Sequence, residues 1–124
     1  MARVLLIDDD ESNLEFMRQV MRIDGHELLW AVDGVQGLDL MRQCSPQLII
    51  CDVLMPHLGG YAVLETARAD PVFAEVPVLL FSAAMSEEGR ELALRRGATQ
   101  VLAKPFDLEQ LRAAIRRCLT RKPS

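Results

Sequence analysis

Polar side chains that could do chemistry stand where apolar runs of the sequence end. They follow four such runs and are Asp8, Asp9, Asp52, Ser82 and Lys104. If these runs are neighbouring strands of one sheet, the polar side chains converge at one edge of it. Two carboxylates roughly 4 Å apart repel each other by about 4 kcal/mol at an effective dielectric constant of about 20. Either some of these acids are therefore protonated, or a cation lies among them.

The combination of residue types indicates phosphoryl transfer. Oxygen ligands from carboxylates, a carbonyl group and waters suit Mg²⁺, which favours sites that also hold phosphate. Lys104 adds a positive charge and Ser82 adds a hydroxyl group. A metal ion, a lysine and a hydroxyl group around one central carboxylate can transfer a phosphoryl group, because that reaction depends mainly on positioning and charge neutralisation.

The elements that must position these residues follow an alternating pattern. Strands are predicted at residues 4–7, 27–32, 47–53, 76–83 and 99–104. Helices are predicted after Ser12, at residues 34–44, 58–69 and 86–96, and after Asp107. Such alternation favours an α/β fold with a parallel sheet and helices on both faces. Ligands of such sheets bind beyond the carboxyl ends of the strands, where the polar side chains stand.

The first helix carries signals at both ends. Ser12 with Glu15 three residues later fits a capping box, which predicts the N-cap at Ser12. Asp10 and Glu11 are interpreted as a solvated approach to the helix, favoured by its dipole. Gly25 suits the left-handed residue that ends a helix.

Composition limits the class of protein. The chain has 124 residues, of which 50% are hydrophobic and 26% charged, and its net charge is −4. These values fit one ordinary domain, and the lack of a basic stripe gives nucleic-acid binding little electrostatic support. No apolar run approaches the roughly 20 residues of a membrane helix, and the N-terminus lacks a signal-peptide layout. We therefore expect no contact with nucleic acid or membrane.

The number and spacing of the cysteines indicate the redox compartment of the protein. Cys44, Cys51 and Cys118 are odd in number and lack CxxC spacing. Their interpretation as buried free thiols predicts a cytoplasmic protein. We expect a single domain over residues 1–124, with its core at residues 3–120 and a tail at residues 121–124.

Short motifs add a resemblance to a known family. They are "LLIDDD", "CDVLMP", "GGYAVL", "FSAA" and "AKPF", with "GA" ahead of the last strand. In this order and spacing the chain resembles the receiver domain of bacterial response regulators, the CheY-like family, over residues 3 to about 120. The resemblance implies a doubly wound (βα)5 five-stranded parallel sheet with the flavodoxin-like strand order 2-1-3-4-5. It also implies a role in a two-component system or phosphorelay.

The resemblance assigns roles around the acids. Asp52 matches the phosphoacceptor, whose carboxylate attacks a phosphohistidine on a histidine kinase or a histidine phosphotransfer protein. Asp9 matches a direct Mg²⁺ ligand, together with Asp52 itself, and Asp8 matches a partner that holds a metal-bound water. Leu54 matches the position whose backbone carbonyl completes the metal site. Its apolar side chain cannot orient an attacking water, which predicts slow to moderate loss of the phosphoryl group.

The resemblance also assigns the phosphoryl pocket. Ser82 matches the hydroxyl that bonds a phosphoryl oxygen, and Lys104 matches the lysine that pairs with the phosphoryl group. Ala83 is small where that group needs space, and Pro105 follows a peptide bond that is typically cis in the family. Val101 stands where many members carry an aromatic switch residue, so a swinging ring is not expected here.

The resemblance gives the output by implication. A downstream protein partner, or an output domain outside this sequence, is expected to contact the face made by the fourth helix, the fifth strand and the fifth helix. The chain is expected to be no enzyme beyond its own phosphorylation and autodephosphorylation.

Two alternatives remain. A haloacid-dehalogenase-like phosphatase would use Asp8 as nucleophile and Asp10 as general acid, with Ser82 and Lys104. It would lack its late acidic motif and leave Asp52 unexplained. A degenerate receiver, acting only as a binding module, usually lacks an acid, the acceptor or the lysine, and none is missing here.

Overall fold

The computed structural model describes residues 2–55, 57–83 and 86–120. Pro56 of "CDVLMP", Ala84 of "FSAA" and the predicted tail at residues 121–124 lie outside this range. The elements in chain order are β1 (Arg3–Ile7), α1 (Glu11–Asp24), β2 (Glu27–Ala31), α2 (Gly34–Cys44), β3 (Leu48–Asp52), α3 (Gly60–Ala69), β4 (Val78–Ser82), α4 (Glu87–Arg95), β5 (Gln100–Ala103) and α5 (Leu108–Thr120).

The strands form one parallel sheet with the order β2-β1-β3-β4-β5. This order confirms the predicted doubly wound α/β fold. The order reverses direction between β1 and β3, because β2 lies on the outer side of β1. Crevices at such reversals are where α/β sheets bind ligands.

The strand register brings the predicted site together. Ile7 pairs with Cys51, Asp52 with Phe81, and Ser82 with Ala103. The carboxyl ends of β1, β3, β4 and β5 are therefore level with one another, and the residues that end or follow them share one edge of the sheet.

The hydrophobic core has two parts, one on each face of the sheet. One part joins alternate strand residues to α2, α3 and α4, and the other joins the intervening residues to α1 and α5. β3 and β4 are buried along their whole length. Strands covered on both faces read as continuous apolar runs, which is why the sequence showed them clearly.

Local capping departs from the prediction at the start of α1. The N-cap is Asp10, whose Oδ1 accepts the N–H of Ser12 at 2.8 Å, so the predicted cap at Ser12 is wrong. Asp10 takes an extended backbone conformation directly after the β1 end, because its own N–H is bonded to the Asp8 carboxylate at 2.9 Å. α1 thus begins at Glu11, one residue before the predicted N-cap at Ser12. Gly25 ends the helix in the left-handed conformation, as predicted.

The start of α3 packs directly on the end of β3. A Cβ atom at Gly60 would lie 2.6 Å from the carbonyl oxygen of Asp52 and 2.9 Å from the Cα of Val53. Only glycine fits this close approach, which fixes the backbone beside Asp52. The helix begins at Gly60, two residues later than the sequence predicted.

No helix within the described ranges has both the length and the apolar character that crossing a bilayer requires.

Candidate phosphoryl-transfer site

An ion pair between Asp52 and Lys104 is at the centre of the site. Asp52 ends β3 and is 8% exposed, and its Oδ2 lies 2.5 Å from the Nζ of Lys104. The other carboxylate oxygen, Oδ1, accepts the N–H of Leu54 at 3.1 Å. Charged hydrogen bonds of this kind are stronger than neutral ones. The carboxylate of Asp52 is therefore held at both oxygens.

The ion pair crosses the end of β4, which lies between β3 and β5 in the sheet. Neighbouring strands lie about 4.8 Å apart, so β3 and β5 are separated by roughly 10 Å. The long side chain of Lys104 covers this distance across the end of β4. Its backbone N–H donates to the carbonyl of Ser82 at 2.7 Å, which fixes the start of the span.

Ser82 lies beneath this bridge. It is the last residue of β4 and is buried. Ala83 and Pro105 follow β4 and β5, respectively, and are exposed at the mouth of the site. The peptide bond between Lys104 and Pro105 is cis.

Asp8 is a fully buried carboxylate. Its Oδ1 accepts the N–H of Asp10 at 2.9 Å, and its Oδ2 accepts the Nδ2 of Asn13 at 2.8 Å. Burial raises the pKa of Asp8, and the charge of Asp52 raises it further. The hydrogen bonds from Asp10 and Asn13, and the charge of Lys104, act in the opposite direction.

The backbone of Asp8 is also held on both sides. Its N–H donates to the carbonyl of Ala31 at 3.0 Å, and its carbonyl accepts the indole Nε1–H of Trp30 at 2.8 Å. Sequence reasoning missed Asn13 and Trp30. The signal for Trp30 exists only in the pairing of β1 with β2, which no local pattern reveals.

Asp9 and Asp10 face outward. Both are exposed, and Asp10 serves as the N-cap of α1. The side chain of Leu54 is exposed too, at 76%. The structure therefore brings Asp8, Asp52, Ser82 and Lys104 together and leaves Asp9 at the rim.

The donor chemistry fits a magnesium ion. The carboxyl groups of Asp8 and Asp52 are both buried and near enough for the charge of Asp52 to act on Asp8, and oxygen donors of this kind suit Mg²⁺. Among the described residues, no group of three His, Cys, Asp or Glu side chains is arranged to hold a metal ion. The predicted set does not require one, because it takes direct side-chain ligands only from Asp9 and Asp52 and a backbone carbonyl from Leu54.

Cys51 takes no part in the site. Its side chain belongs to the core on the α2–α3–α4 side of the sheet, and its Sγ donates to the Asp52 carbonyl at 3.4 Å. Burial raises the pKa of its thiol far above the usual range. All three cysteines are free thiols, as predicted. Cys51 and Cys118 are also buried, whereas Cys44 is only half-buried, so the prediction of burial is wrong for Cys44.

The two histidines differ in their surroundings. Nδ1 of His26 accepts the N–H of Ala2 at 3.0 Å, as a structural contact at the opposite end of β1. His57 is exposed and has a positive φ of 70°.

A family comparison decides the identity of this arrangement. The family model described as "Response regulator receiver domain" matches residues 4–116. The chain belongs to this family. The resemblance inferred from the motifs is thus confirmed, and the receiver acts in two-component signalling.

Curated relatives support the same family. The receiver is 34% identical over 121 residues to the "DNA-binding dual master transcriptional regulator RpaA" of Synechocystis, which covers 98% of this chain and 50% of the relative. It is 37% identical over 122 residues to the "Transcriptional regulatory protein PrrA" of Mycobacterium tuberculosis, covering 98% of this chain and 52% of that protein. The receiver thus spans about half the length of the curated relatives it matches.

Two solved receiver structures match over nearly their full length. The chemotaxis response regulator CheY4 of Vibrio cholerae superposes with a TM-score of 0.90 at 30% identity, covering 96% of this chain and 99% of the other. The receiver domain of the Francisella response regulator 1452 gives 0.88 at 28% identity, covering 96% and 97%. Receiver domains typically bind Mg²⁺ at acidic residues and are typically not true enzymes.

The phosphatase alternative loses its support at this point. Family membership accounts for Asp52, which that alternative left unexplained. Asp10, its general acid, is engaged as a helix cap, and Lys104 forms its ion pair with Asp52.

Proposed function

We propose that Asp52 accepts a phosphoryl group from a phosphohistidine on a histidine kinase or a histidine phosphotransfer protein. The observation that carries this proposal is the ion pair of Asp52 with Lys104, across the strand that ends in buried Ser82. Of the four acids near the end of β1 and β3, only Asp52 combines burial with a cationic partner within hydrogen-bond distance.

The transfer follows from the geometry of Asp52. One carboxylate oxygen attacks phosphorus, a P–O bond forms, and the P–N bond to the imidazole breaks with its electron pair left on the donor nitrogen. The Nζ of Lys104, now 2.5 Å from Oδ2, then pairs with a phosphoryl oxygen. The hydroxyl of Ser82 donates to another phosphoryl oxygen. The small side chain of Ala83 and the ring of Pro105 bound the pocket at its mouth.

Mg²⁺ would be held by the acids on the other side of Asp52. Asp9, Asp52 and the backbone carbonyl of Leu54 would supply direct ligands, and Asp8 would accept a hydrogen bond from a bound water. A bound ion would supply positive charge that offsets the charge of the phosphoryl oxygens. Asp9 lies exposed at the rim, where its side chain has room to turn toward the ion.

The output is proposed to pass through α4, β5 and α5. Val101 of β5 is 4% exposed and its carbonyl accepts the Nη1 of Arg90 from α4 at 3.2 Å. With no ring at Val101, phosphorylation is proposed to shift an existing equilibrium through backbone movement at this contact. The recipient is a protein partner or a further domain, and the receiver itself contacts neither nucleic acid nor membrane. We place its action in the cytoplasm, in keeping with three free thiols.

The chemistry proposed for this chain is limited to its own phosphorylation and autodephosphorylation. A degenerate receiver would be expected to lack part of the site, whereas Asp8, Asp52, Ser82 and Lys104 are all present and close together.

The test is labelling with a small acyl phosphate and Mg²⁺, read as a labile phosphoryl mass gain. Wild type is expected to take one phosphoryl group and Asp52→Asn none. Asp107→Asn is a matched control, because asparagine also caps α5 at a position outside the site. Labelling that survives Asp52→Asn and vanishes in Asp8→Asn would support the phosphatase alternative. No labelling of wild type by acyl phosphate or by any histidine kinase would instead support the degenerate module.

A further inference from the structure

Trp30 makes a contact that its place on an edge strand does not require. It lies on β2, at the edge of the sheet, and is partly buried against the core on the α1–α5 side. Its indole Nε1–H donates to the backbone carbonyl of Asp8 at 2.8 Å. The side chain thus reaches from the edge of the sheet to the first residue of the acidic turn.

This contact extends the hold of β2 on the β1 end. The last paired residues of the two strands are Ile7 and Ala31. Beyond them, the N–H of Asp8 still donates to the carbonyl of Ala31 at 3.0 Å. β2 ends at Ala31 and the chain turns toward α2, so the Trp30 side chain, rather than a further strand residue, binds the next carbonyl.

The held carbonyl controls the direction of the next residue. The carbonyl of Asp8 and the N–H of Asp9 belong to one planar peptide unit. Fixing the carbonyl therefore fixes the plane from which the Asp9 side chain leaves. Together with the bonds from Asp10 and Asn13 to the Asp8 carboxylate, the indole fixes Asp8 and the backbone at Asp9 before any ligand arrives.

We propose that Trp30 is a positioning residue for the divalent-cation site, acting through the Asp8 carbonyl. This inference rests on the proposed function, since it assumes that Asp8 and Asp9 serve Mg²⁺. Loss of the indole donor leaves a buried carbonyl without its partner and loosens the turn. Partners of this kind around metal ligands typically change metal affinity by about 10- to 100-fold.

The variant Trp30→Phe separates positioning from packing. Phenylalanine keeps an aromatic ring against the α1–α5 core but has no N–H donor. Thermal unfolding is measured with and without Mg²⁺ for wild type and variant, because a ligand stabilises the folded state by an amount set by its dissociation constant. We expect the Mg²⁺ dissociation constant to rise about tenfold, and the Mg²⁺-induced shift in Tm to shrink accordingly.

Thr99→Val is the matched control. The Oγ1 of Thr99 accepts the N–H of Val78 at 3.0 Å, at the opposite end of the sheet from the acids. This variant also loses one partly buried hydrogen bond and is expected to lower Tm equally with and without Mg²⁺. A Trp30→Phe variant that behaves like this control, with a full Mg²⁺ shift, would show that Trp30 only packs.

A second measurement uses the unaltered protein. Trp30 is the single tryptophan of the chain, so its indole N–H gives one resonance in a ¹H–¹⁵N spectrum. Titration with Mg²⁺ is expected to move this resonance together with the amides of Asp8 and Asp9. An indole signal that stays fixed while those amides move overturns the inference alone. If nothing moves and wild type gains no stability from Mg²⁺, the proposed cation site fails as well.

Discussion

Lys104 lies 2.5 Å from Asp52 although 52 positions separate them in the chain. This ion pair is already formed in the unphosphorylated protein. The Nζ of Lys104 therefore lies beside the carboxylate that is proposed to receive the phosphoryl group. In the proposed reaction one carboxylate oxygen of Asp52 becomes the bridging oxygen of an acyl phosphate, and we expect the ammonium group of Lys104 to move toward the phosphoryl oxygens. We expect that movement to displace the segment after β5, which joins the site to α5.

Lys104→Ala is therefore expected to uncouple phosphorylation from the conformational shift. The variant takes a phosphoryl group from acyl phosphate, but the amides of α4, β5 and α5 no longer change in ¹H–¹⁵N spectra. Arg22→Ala, which removes a cation from the exposed side of α1, is the control and keeps the full change. A complete phosphorylation-dependent shift in Lys104→Ala would contradict the role given to this lysine.

Leu54 is expected to lengthen the life of the phosphoryl group. Its side chain is 76% exposed two residues after Asp52 and cannot hydrogen-bond an attacking water. Leu54→Asn is expected to speed loss of the label about fivefold, the effect of one hydrogen bond of about 1 kcal/mol. The decay of the phosphorylated mass measures it. Val72→Asn, 74% exposed on a remote loop, is the control. Equal decay rates in wild type, Leu54→Asn and Val72→Asn would show that the side chain at position 54 does not control loss of the phosphoryl group.

Asp24 and Arg112 make stability depend on pH. Arg112 joins α5 to the end of α1 by donating to both carboxylate oxygens of Asp24, at 2.8 and 3.1 Å. This hydrogen bonding lowers the pKa of Asp24 from its ordinary 3.8 and raises that of Arg112. Because the folded pKa is depressed, the stabilisation is complete above the unfolded value and disappears as the pH falls through the folded value.

Arg112→Met is thus expected to be less stable than wild type at pH 7, and the difference should vanish in acid well below 3.8. Urea unfolding over this pH range provides the measurement. The control Arg18→Met breaks a more exposed pair with Glu15, whose atoms lie 3.4 Å apart, and should change stability little at any pH. A difference for Arg112→Met that persists unchanged in acid would mean that packing of the arginine stem, not the ion pair, stabilises the contact.

Asp8→Asn is expected to stabilise the cation-free receiver at neutral pH. It removes a charge that burial and Asp52 both disfavour. The amide of Asn13 can turn its oxygen toward the new donor, so the hydrogen bond at 2.8 Å is retained. The variant should also lose the stabilisation that Mg²⁺ gives to wild type.

Urea unfolding with and without Mg²⁺ tests both effects of Asp8→Asn. Asp33→Asn is a suitable control, since it makes the same chemical change at the N-cap of α2 and asparagine caps equally well. A cation-free Asp8→Asn protein that is less stable than wild type would show that the ionised carboxylate is needed for the fold.

Local patterns predicted much of the fold correctly. The bounds of α2, residues 34–44, agree with the structure, and Asp107 caps α5 by accepting the N–H of Gln110 at 2.8 Å. Such features depend on residues within a few positions of one another. The cap of α1 shows the limit of this reasoning. The sequence predicted Ser12 as the cap and Asp10 as a solvated approach to the helix, whereas Asp10, bonded to the end of β1, is the N-cap.

Side-chain contacts between distant segments were not predicted from the sequence. The bond from Trp30 to Asp8 spans 22 positions, and that from Arg112 to Asp24 spans 88. The hydrophobic pattern of one segment does not indicate which distant segment it contacts, because these contacts depend on which strands and helices become neighbours.

The strand-end positions of the polar residues follow from the amino-acid sequence alone, because apolar runs of strand length stop immediately before or at Asp8, Asp9, Asp52, Ser82 and Lys104. The different environments of these residues arise only in the folded chain. Asp8 became fully buried and neutral donors hold it, Asp9 remained exposed, and Asp52 gained the charge of Lys104. A hydrophobic pattern involves residues that are close together along the chain, so it indicates where strands end. Burial and charge pairing depend instead on the order of strands across the sheet.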